Sequence, residues 1–416
     1  GNSARDAARA AAAHEGEHLL LGDHVEVLFD GLLQARGGHG ELDAALGGLV
    51  PAQHVNQRAA EAVAAAHAVD DVDGVFPGEE GRVAVVEHAA PAVVTGREGG
   101  AQRDGHISEA EALLQPARHV DVAVIETGLG GRLDSTNIIT PRACVITNIS
   151  YDHMAQLGHT LTSIAHEKAG IIKSGIPVVI GEAEGDVRRV FEEKAREESA
   201  PIYFAQESDV LTSCRPDENG QWAIDSRDYG YLTYELDGLC QEKNAATILC
   251  ALRILRQQGF AITPEAVKEG FAHVTTLTGL QGRWQKVGSL PPAYCDTGHN
   301  TGGFRYISQQ LAGIKCRTLR IVFGMVNDKD ISGVLSMLPR EAVYYFTQAS
   351  IPRAMPASVM RDKAAESGLK GDVYDSVPEA YRAALHDSCD EDFVFIGGSS
   401  FVVADLLAFL EANKKN

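Results

Sequence analysis

The chain contains no lysine before Lys168, so that stretch cannot supply a lysine to any site. Methionine, tryptophan, tyrosine and cysteine are also absent before residue 119, where alanine, glycine, valine, histidine and arginine dominate. Two interpretations of residues 1–118 stay open. In the first, it is an alanine-rich segment that is helical or partly disordered, because few large side chains offset the entropy of ordering. In the second, it was translated in the wrong frame or from the wrong strand of GC-rich DNA.

Positive charge is scarce throughout the chain. Its 37 lysines and arginines against 57 aspartates and glutamates give a net charge of -20, which argues against nucleic acid or an anionic membrane as the main partner. A local basic site for an acidic small molecule is compatible with this balance. No apolar run approaches the roughly 20 residues that span a bilayer, and the N-terminus has no basic-then-apolar signal pattern. We therefore expect a cytoplasmic protein.

Cysteines are few and scattered. The seven are odd in number and show no Cys-x-x-Cys spacing, so the sequence suggests neither a disulfide framework nor a zinc site. A reducing compartment suits them best.

From residue 120 onward, β-rich runs alternate with segments of helical period, which predicts an α/β protein with a mostly parallel sheet covered by helices on both faces. Residues 208–238 alternate with period two and predict an antiparallel hairpin insert. A glycine-containing linker near residues 276–288 leads to a second α/β unit of about 130 residues.

Polar residues follow the predicted strands of the first unit, where ligands bind in open parallel sheets. Glu126 ends one strand and His153 follows the next, so they could converge on one metal, or be ordinary loop residues. Lys168 lies on an apolar helix and is either a surface charge or a buried, chemically active amine. The turn "GLGG" between them lacks the spacing of a dinucleotide fingerprint.

These elements together carry a resemblance. The run "VIETGLGGRLDSTNIITPRACVITNISYDHMAQLGHTLTSIAHEKAGIIKSGIPVVIGE" closely resembles the folylpolyglutamate synthase and dihydrofolate synthase family of the Mur ligase superfamily. The likeness continues through "KNAATILCAL", "LQGRWQ", "CDTGHN", "GMVNDKD" and "GGSSF", over residues 119–410. It implies a Mur-ligase-like, parallel-sheet ATPase domain over residues 119–280 and a smaller, Rossmann-like α/β glutamate-ligase domain over residues 285–416.

The resemblance also implies a metal centre. Glu126 and His153 match the magnesium ligands of the family. Lys168 matches a catalytic lysine that becomes carbamylated, which turns a cation into an anion able to support a second magnesium ion.

Two further groups of residues are assigned to the substrates in the same way. Arg132, Leu133 and Asp134 match the loop that lines the pterin site, so the glycine turn is expected to face the folate rather than ATP phosphates. His299, as a catalytic residue, and Ser399 match positions near the reacting carboxylate or the incoming glutamate.

The nucleotide contacts implied by the resemblance are Asn244, Arg283 and Asp296. The implied reaction uses ATP and Mg²⁺ to convert a dihydropteroate or folate carboxylate into an acyl phosphate, which the amino group of L-glutamate attacks. Cationic groups and magnesium stabilise the developing charge, and a cleft between two domains aligns the substrates. The resemblance further implies a monomer that acts on small molecules.

One expected part is missing. The family has a Walker-type loop before the strand that ends at Glu126, in which backbone N–H groups, a lysine and a hydroxyl hold phosphates and magnesium. The stretch "GLLQARGGHG" has glycines but neither the lysine nor the hydroxyl. Two hypotheses therefore stay open: a glutamate ligase whose N-terminal part is mis-specified, or a non-catalytic remnant with at most weak folate or nucleotide binding.

Overall fold

A computed structural model describes residues 26–31, 74–78, 81–87, 122–217, 221–327 and 329–414. Its first sheet has seven strands in the order β2-β3-β4-β1-β5-β6-β7. They are β1 (Glu26–Gly31), β2 (Gly74–Gly78), β3 (Gly81–Glu87), β4 (Val122–Glu126), β5 (Cys144–Ile146), β6 (Val178–Ile180) and β7 (Ile202–Phe204).

The first sheet is mixed rather than wholly parallel. The predicted parallel pairing is confirmed for β3 with β4 and for β5, β6 and β7. However, β1 runs antiparallel to both of its neighbours, β4 and β5, and β2 runs antiparallel to β3. Val27 near the start of β1 pairs with Glu126 at the end of β4, so β1 begins at the end of the sheet where β4 stops.

Helices cover the two faces of this sheet. Every residue of β4, β5 and β6 is buried, as expected for strands with helices on both sides. The helices are α1 (Met154–Leu157), α2 (Leu161–Lys168), α3 (Gly185–Glu197) and α4 (Gln241–Gln257). Val122 and Val124 face the apolar cluster that includes α4, whereas Ala123 and Ile125 face the cluster that includes α2 and α3. This alternation positions the polar residues at the strand ends.

The predicted hairpin insert is a three-stranded antiparallel sheet in the order β10-β9-β8. Its strands are β8 (Leu211–Pro216), β9 (Trp222–Ser226) and β10 (Gly230–Tyr234). The helices α5 (Pro264–Ala272) and α6 (Val274–Thr278) follow, and the Tyr234 ring packs edge-on against Phe271 of α5. The insert is therefore anchored to the core of the first unit.

The second α/β unit has a six-stranded sheet in the order β11-β12-β16-β13-β14-β15, which is parallel except for β11. Its strands are β11 (Gln285–Ser289), β12 (Pro292–Asp296), β13 (Leu319–Phe323), β14 (Val343–Phe346), β15 (Lys370–Val373) and β16 (Phe393–Gly397). Its helices are α7 (Thr301–Gly313), α8 (Ile331–Met337), α9 (Ala357–Glu366), α10 (Val377–His386) and α11 (Ser400–Lys414). The α/β architecture predicted for this unit is confirmed.

Strand β15 stops at Val373, shortly before the next helix begins at Val377. The physical reason is that Ser376 caps the following helix, its side chain accepting a hydrogen bond from the backbone N–H of Glu379.

The described helices have ordinary globular lengths. The longest, α4, has 17 residues. Within the described ranges, none is both long and apolar enough to cross a bilayer. All seven cysteines lie in the described part of the chain, and there none of them forms a disulfide.

Candidate active site

A cavity of about 420 Å³ lies between the two α/β units. Its floor comes from residues that follow β5 and β6 in the first unit, and its opposite wall comes from the segment after β12 in the second. All three residues expected to contact the nucleotide, Asn244, Arg283 and Asp296, line this cavity. Residues far apart in sequence thus meet at one concave surface of a size that suits a small-molecule ligand.

Backbone donors hold the carboxylate of Asp296, the last residue of β12. The backbone N–H of Trp284 donates to Oδ2 at 2.8 Å, and that of Gly298 donates to Oδ1 at 2.8 Å. Arg283 donates through Nη1 to the hydroxyl of Thr297. These contacts fix an anion and a cation side by side on the wall formed by the second unit.

On the other wall, a buried hydrogen-bond chain orients Asn244 in α4. Its Nδ2 donates to Oε1 of Gln241 at 3.1 Å, and the same oxygen accepts from the hydroxyl of Tyr234 at 3.0 Å. Burial raises the pKa of Tyr234 well above its usual range, so this hydroxyl stays a donor. The chain fixes the amide that faces the cavity.

An ion cluster beside the cavity joins the two units. The Nζ of Lys329 donates to both carboxylate oxygens of Asp152, at 2.7 and 2.9 Å, and Nδ2 of Asn300 lies 3.4 Å from Oδ2. The ring Nε2 of His299 lies 3.6 Å from the same oxygen. Burial alone would raise the pKa of Asp152, but the neighbouring imidazole of His299 and the charge of Lys329 hold this pKa well below its usual range.

The predicted metal ligands come from three neighbouring segments. Glu126 ends β4 and Lys168 ends α2, and each is only 5% exposed. His153 precedes α1 with a left-handed backbone, φ 45°. A Cβ added to Gly130 would lie 2.9 Å from Leu157 of α1, so the turn after Glu126 packs on the helix after His153.

These residues fit a magnesium ion only in part. Among the described residues, no three or more histidines, cysteines, aspartates or glutamates form a group that could hold a metal. A lysine ammonium has only donors, so Lys168 could help to hold a cation only after modification to an anion. Mg²⁺ is commonly bound through one or two carboxylates, with phosphate oxygens and water completing its shell. Glu126, His153 and modified Lys168 fit such a site, and their assignment to one metal stays a prediction.

The glycine turn is organised by its own polar side chains. The carboxylate of Asp134 accepts hydrogen bonds from the backbone N–H groups of Leu129 and Thr136 and from the hydroxyl of Thr136. The side chain of Arg132 forms an ion pair with Glu167 of α2 at 2.9 Å. Leu133 is 79% exposed. Their role at a pterin site stays a prediction.

Ser399 and His299 occupy buried positions in the second unit. Ser399 follows β16, and its hydroxyl accepts a hydrogen bond from the backbone N–H of Phe401 at 3.2 Å. The Nδ1 of His299 lies 3.2 Å from the carbonyl oxygen of Thr297. Their assignment to the reacting carboxylate or the incoming glutamate is likewise a prediction.

Several polar contacts between the units were not predicted from the sequence. Besides the pair of Asp152 with Lys329, the hydroxyl of Tyr306 in α7 donates to Oε1 of Glu182 at 3.1 Å, at the cavity wall. Position after a strand gives a signal for Asp152 and Glu182. The partners Lys329 and Tyr306 could not be identified in this way, because a lysine in a loop and a tyrosine on a helix usually face solvent.

Family models match both units: residues 83–223 match the Mur ligase middle domain, and residues 282–400 match the Mur ligase, glutamate ligase domain. The dihydrofolate synthase/folylpolyglutamate synthase of Haemophilus influenzae is 30% identical over 317 residues, covering 70% of this chain and 69% of the relative. The chain belongs to the dihydrofolate synthase/folylpolyglutamate synthase family. The Escherichia coli relative of the same name is 31% identical over 304 residues, covering 71% of this chain and 66% of the relative.

Solved structures of the family extend the match over most of the chain. E. coli FolC in complex with DHPP and ADP has a TM-score of 0.63 and 26% identity, covering 87% of both chains. The Yersinia pestis bifunctional synthase complexed with AMPPNP and Mn ion has a TM-score of 0.62 and 25% identity, covering 86% of both chains. By sequence, the chain spans about two thirds of the first curated relatives, 66% and 65% of their lengths. The Mur-ligase-like fold predicted from the sequence is confirmed.

Proposed function

We propose that the protein ligates L-glutamate to dihydropteroate, to tetrahydrofolate (poly)glutamate, or to both, in an ATP-dependent reaction. The observation that carries this proposal is the cavity between the units, lined on one side by Asn244 and on the other by Arg283 and Asp296. Relatives whose names state this activity, and solved relatives that hold ADP or AMPPNP, support it.

The residues suggest a division of labour. Asn244 would bind the adenine, and Arg283 and Asp296 would hold the rest of the nucleotide from the second unit. ATP would phosphorylate the folate carboxylate, and the amine of glutamate would displace phosphate from the acyl phosphate, yielding an amide, ADP and phosphate. A magnesium ion near Glu126 and His153 would neutralise phosphate charge.

The buried ion cluster suits the amine step. His299 lies beside the carboxylate of Asp152, with Nε2 3.6 Å from Oδ2. We propose that its imidazole takes a proton from the attacking amine and that Ser399 orients a substrate carboxylate. Contacts across the units exclude water from this region, which strengthens such electrostatic effects.

Phosphate binding is the weak point of this chain as a catalyst. The chain has no lysine before Lys168. In addition, β1 is antiparallel to β4, so β1 ends next to Val122, at the opposite end of β4 from Glu126. We expect ligation by this chain to be severely weakened, and the second candidate function is nucleotide or folate binding without catalysis.

A ligation assay discriminates the two candidates. Purified full-length protein is supplied with radiolabelled glutamate and either dihydropteroate or tetrahydrofolate, with and without ATP. Slow, ATP-dependent incorporation that Asp296→Asn weakens and the exposed control Asp390→Asn leaves unchanged supports the ligase. Absence of incorporation, with ADP binding retained, supports the binding protein.

ADP binding has an internal reporter. Trp284 is buried next to Arg283, and its backbone N–H donates to Asp296. Since the only other tryptophan is Trp222 in the insert, a Trp222→Phe variant leaves Trp284 as the sole tryptophan emitter. An emission change on ADP addition that Asp296→Asn reduces is expected. Absence of any ADP binding, checked by calorimetry, would contradict the ligase and would leave only folate binding of the second candidate function.

The remaining properties are proposals of the same kind. We propose a cytoplasmic monomer with ATP and Mg²⁺ as cofactors and small-molecule substrates, and a division into domains at residues 119–280 and 285–416. Carbamylation of Lys168 is part of this proposal.

A further inference from the structure

The turn after Glu126 is tied to the end of α2 by a set of contacts that we name the clasp. The clasp consists of Arg132 and Asn137 on the turn, and Glu167, Gly170 and Lys173 at the end of α2 and just beyond it. It brackets Lys168, which lies between two of its members.

One half of the clasp is an ion pair. The Nε of Arg132 donates to both carboxylate oxygens of Glu167, at 3.2 and 3.1 Å, and its Nη2 donates to Oε1 at 2.9 Å. The backbone N–H of Arg132 also donates to the carbonyl oxygen of Glu167 at 2.8 Å. A bidentate guanidinium fixes orientation as well as distance.

The other half is built on carbonyl groups. The Nδ2 of Asn137 donates to the carbonyl oxygen of Gly170 at 3.0 Å, and the Nζ of Lys173 donates to the carbonyl oxygen of Asn137 at 2.7 Å. Lys173 is partly buried, and this burial lowers its pKa. A side chain at Gly170 would overlap the backbone of Arg132, so the two segments are in direct contact.

The clasp is placed to control two buried side chains. Glu126 lies at the start of the clasped turn, and Lys168 follows Glu167 directly. Both are 5% exposed, so each is packed within its own segment and the relative position of the two segments affects the distance between them. The contacts that join these segments therefore set the relative positions of Glu126 and Lys168.

We propose that Arg132 and Lys173 are positioning residues that hold Lys168 in register with Glu126 for divalent-metal binding. The guanidinium of Arg132 acts on the metal site through Glu167, and Lys173 acts on it through the carbonyl group of Asn137. The inference rests on the metal site of the proposed function.

The test measures Mn²⁺ binding by the full-length chain, with the electron paramagnetic resonance signal of free Mn²⁺ as readout. Arg132→Met and Lys173→Met are expected to weaken Mn²⁺ binding about tenfold or more, the usual effect of removing a group that orients metal ligands. The matched control is Arg361→Met, which removes an exposed arginine paired with Asp362 at 2.7 Å in the second unit. It is expected to leave Mn²⁺ affinity unchanged.

Rescue variants separate positioning from direct contact. Reversal of the ion pair in the double variant Arg132→Glu, Glu167→Arg restores the attraction between the segments, so it should recover most of the lost affinity. Lys173→Arg keeps a long cation that can reach the carbonyl group of Asn137 and should do the same.

Hydrogen exchange provides a readout without metal. The amide of Arg132 donates within the clasp, so Lys173→Met should speed its exchange while the thermal melting of the whole protein stays close to that of the unaltered chain. Unchanged exchange would show that Lys173 does not hold the turn and would overturn the inference.

The Mn²⁺ outcomes distinguish the two levels of the argument. Mn²⁺ binding by the unaltered chain that Arg132→Met and Lys173→Met leave intact overturns the positioning role alone. Loss in Arg132→Met without recovery in the reversed pair also overturns it, because a side chain that touches the ligand cannot be replaced from the other segment. Absence of Mn²⁺ binding by the unaltered chain refutes the metal site and overturns both.

Discussion

The replacement of Lys329 by methionine tests the importance of the ion cluster that joins the two units. The change removes donors at 2.7 and 2.9 Å from Asp152, whose side chain is 3% exposed, while that of Lys329 is 6% exposed. Breaking a buried ion pair by removing one partner usually costs about 3–5 kcal/mol, because a buried charge loses its compensation. Since Asn300 and His299 stay near the carboxylate, we expect a loss of about 3 kcal/mol.

Urea unfolding at pH 7.5, followed by circular dichroism and by tryptophan emission, measures this loss. The matched control is Arg227→Met, which breaks an exposed pair with Asp209 at 2.9 Å, where the side chains are 63% and 56% exposed. Exposed pairs contribute about 0–1 kcal/mol. A double variant, Asp152→Asn with Lys329→Met, removes both charges and should recover more than half of the loss. Equal losses for Lys329→Met and Arg227→Met would refute the reasoning.

The loss should also depend on pH. In the unaltered protein the pKa of Asp152 is depressed, so its contribution is present above the unfolded pKa of about 3.9 and is lost as pH falls through the folded pKa. In Lys329→Met, burial opposes ionisation with less compensation, so Asp152 takes up a proton at higher pH. The difference in unfolding free energy between the two proteins should therefore be large at pH 7.5 and smaller at pH 4. A difference that does not change with pH would show that the cost is not electrostatic.

Three shorter predictions concern the first unit. Lys168→Ala should abolish glutamate ligation more completely than Lys173→Ala in the radiolabel assay, because Lys173 acts only through the position of Lys168; a rate in Lys168→Ala no lower than that in Lys173→Ala would contradict a direct role of Lys168. Gly170→Ala should destabilise the protein by about 1–3 kcal/mol in thermal unfolding, because the added methyl overlaps the backbone of the glycine turn; an unchanged melting temperature would contradict this packing. Tyr234→Phe removes the buried hydroxyl that donates to Gln241, and it should lower the free energy of unfolding by about 1 kcal/mol. It should also weaken ADP binding, and equal ADP affinity of the two proteins in calorimetry would contradict this.

The sequence predicts the buried strands of the first sheet well. The runs that form β4, β5 and β6 are short and continuously apolar, as expected when helices cover both faces, and the polar residues after them mark the edge where the cavity lies. The residues expected to bind the nucleotide do meet there, although α4 and β12 are far apart along the chain.

Other features depend on tertiary geometry that local pattern does not contain. The direction of β1 could not be predicted, because an apolar strand reads the same in either orientation. The pair of Asp152 with Lys329 joins residues 177 positions apart in the sequence, and only the docking of the two units brings them together. The ion pair of Arg132 with Glu167 was also not predicted, because an arginine in a glycine turn is as compatible with a ligand contact as with an ion pair inside the protein.

The place of β1 in the sheet acts as a spacer. Neighbouring strands lie about 4.8 Å apart, so the interposed β1 separates β4 from β5 by roughly 10 Å. Glu126 ends β4, whereas Thr147, on the wall of the cavity, follows β5. A metal ion with bonds of about 2 Å can join the two strand ends only through side chains that reach across this width, whereas an extended ligand such as a polyphosphate chain can contact the backbone at both places.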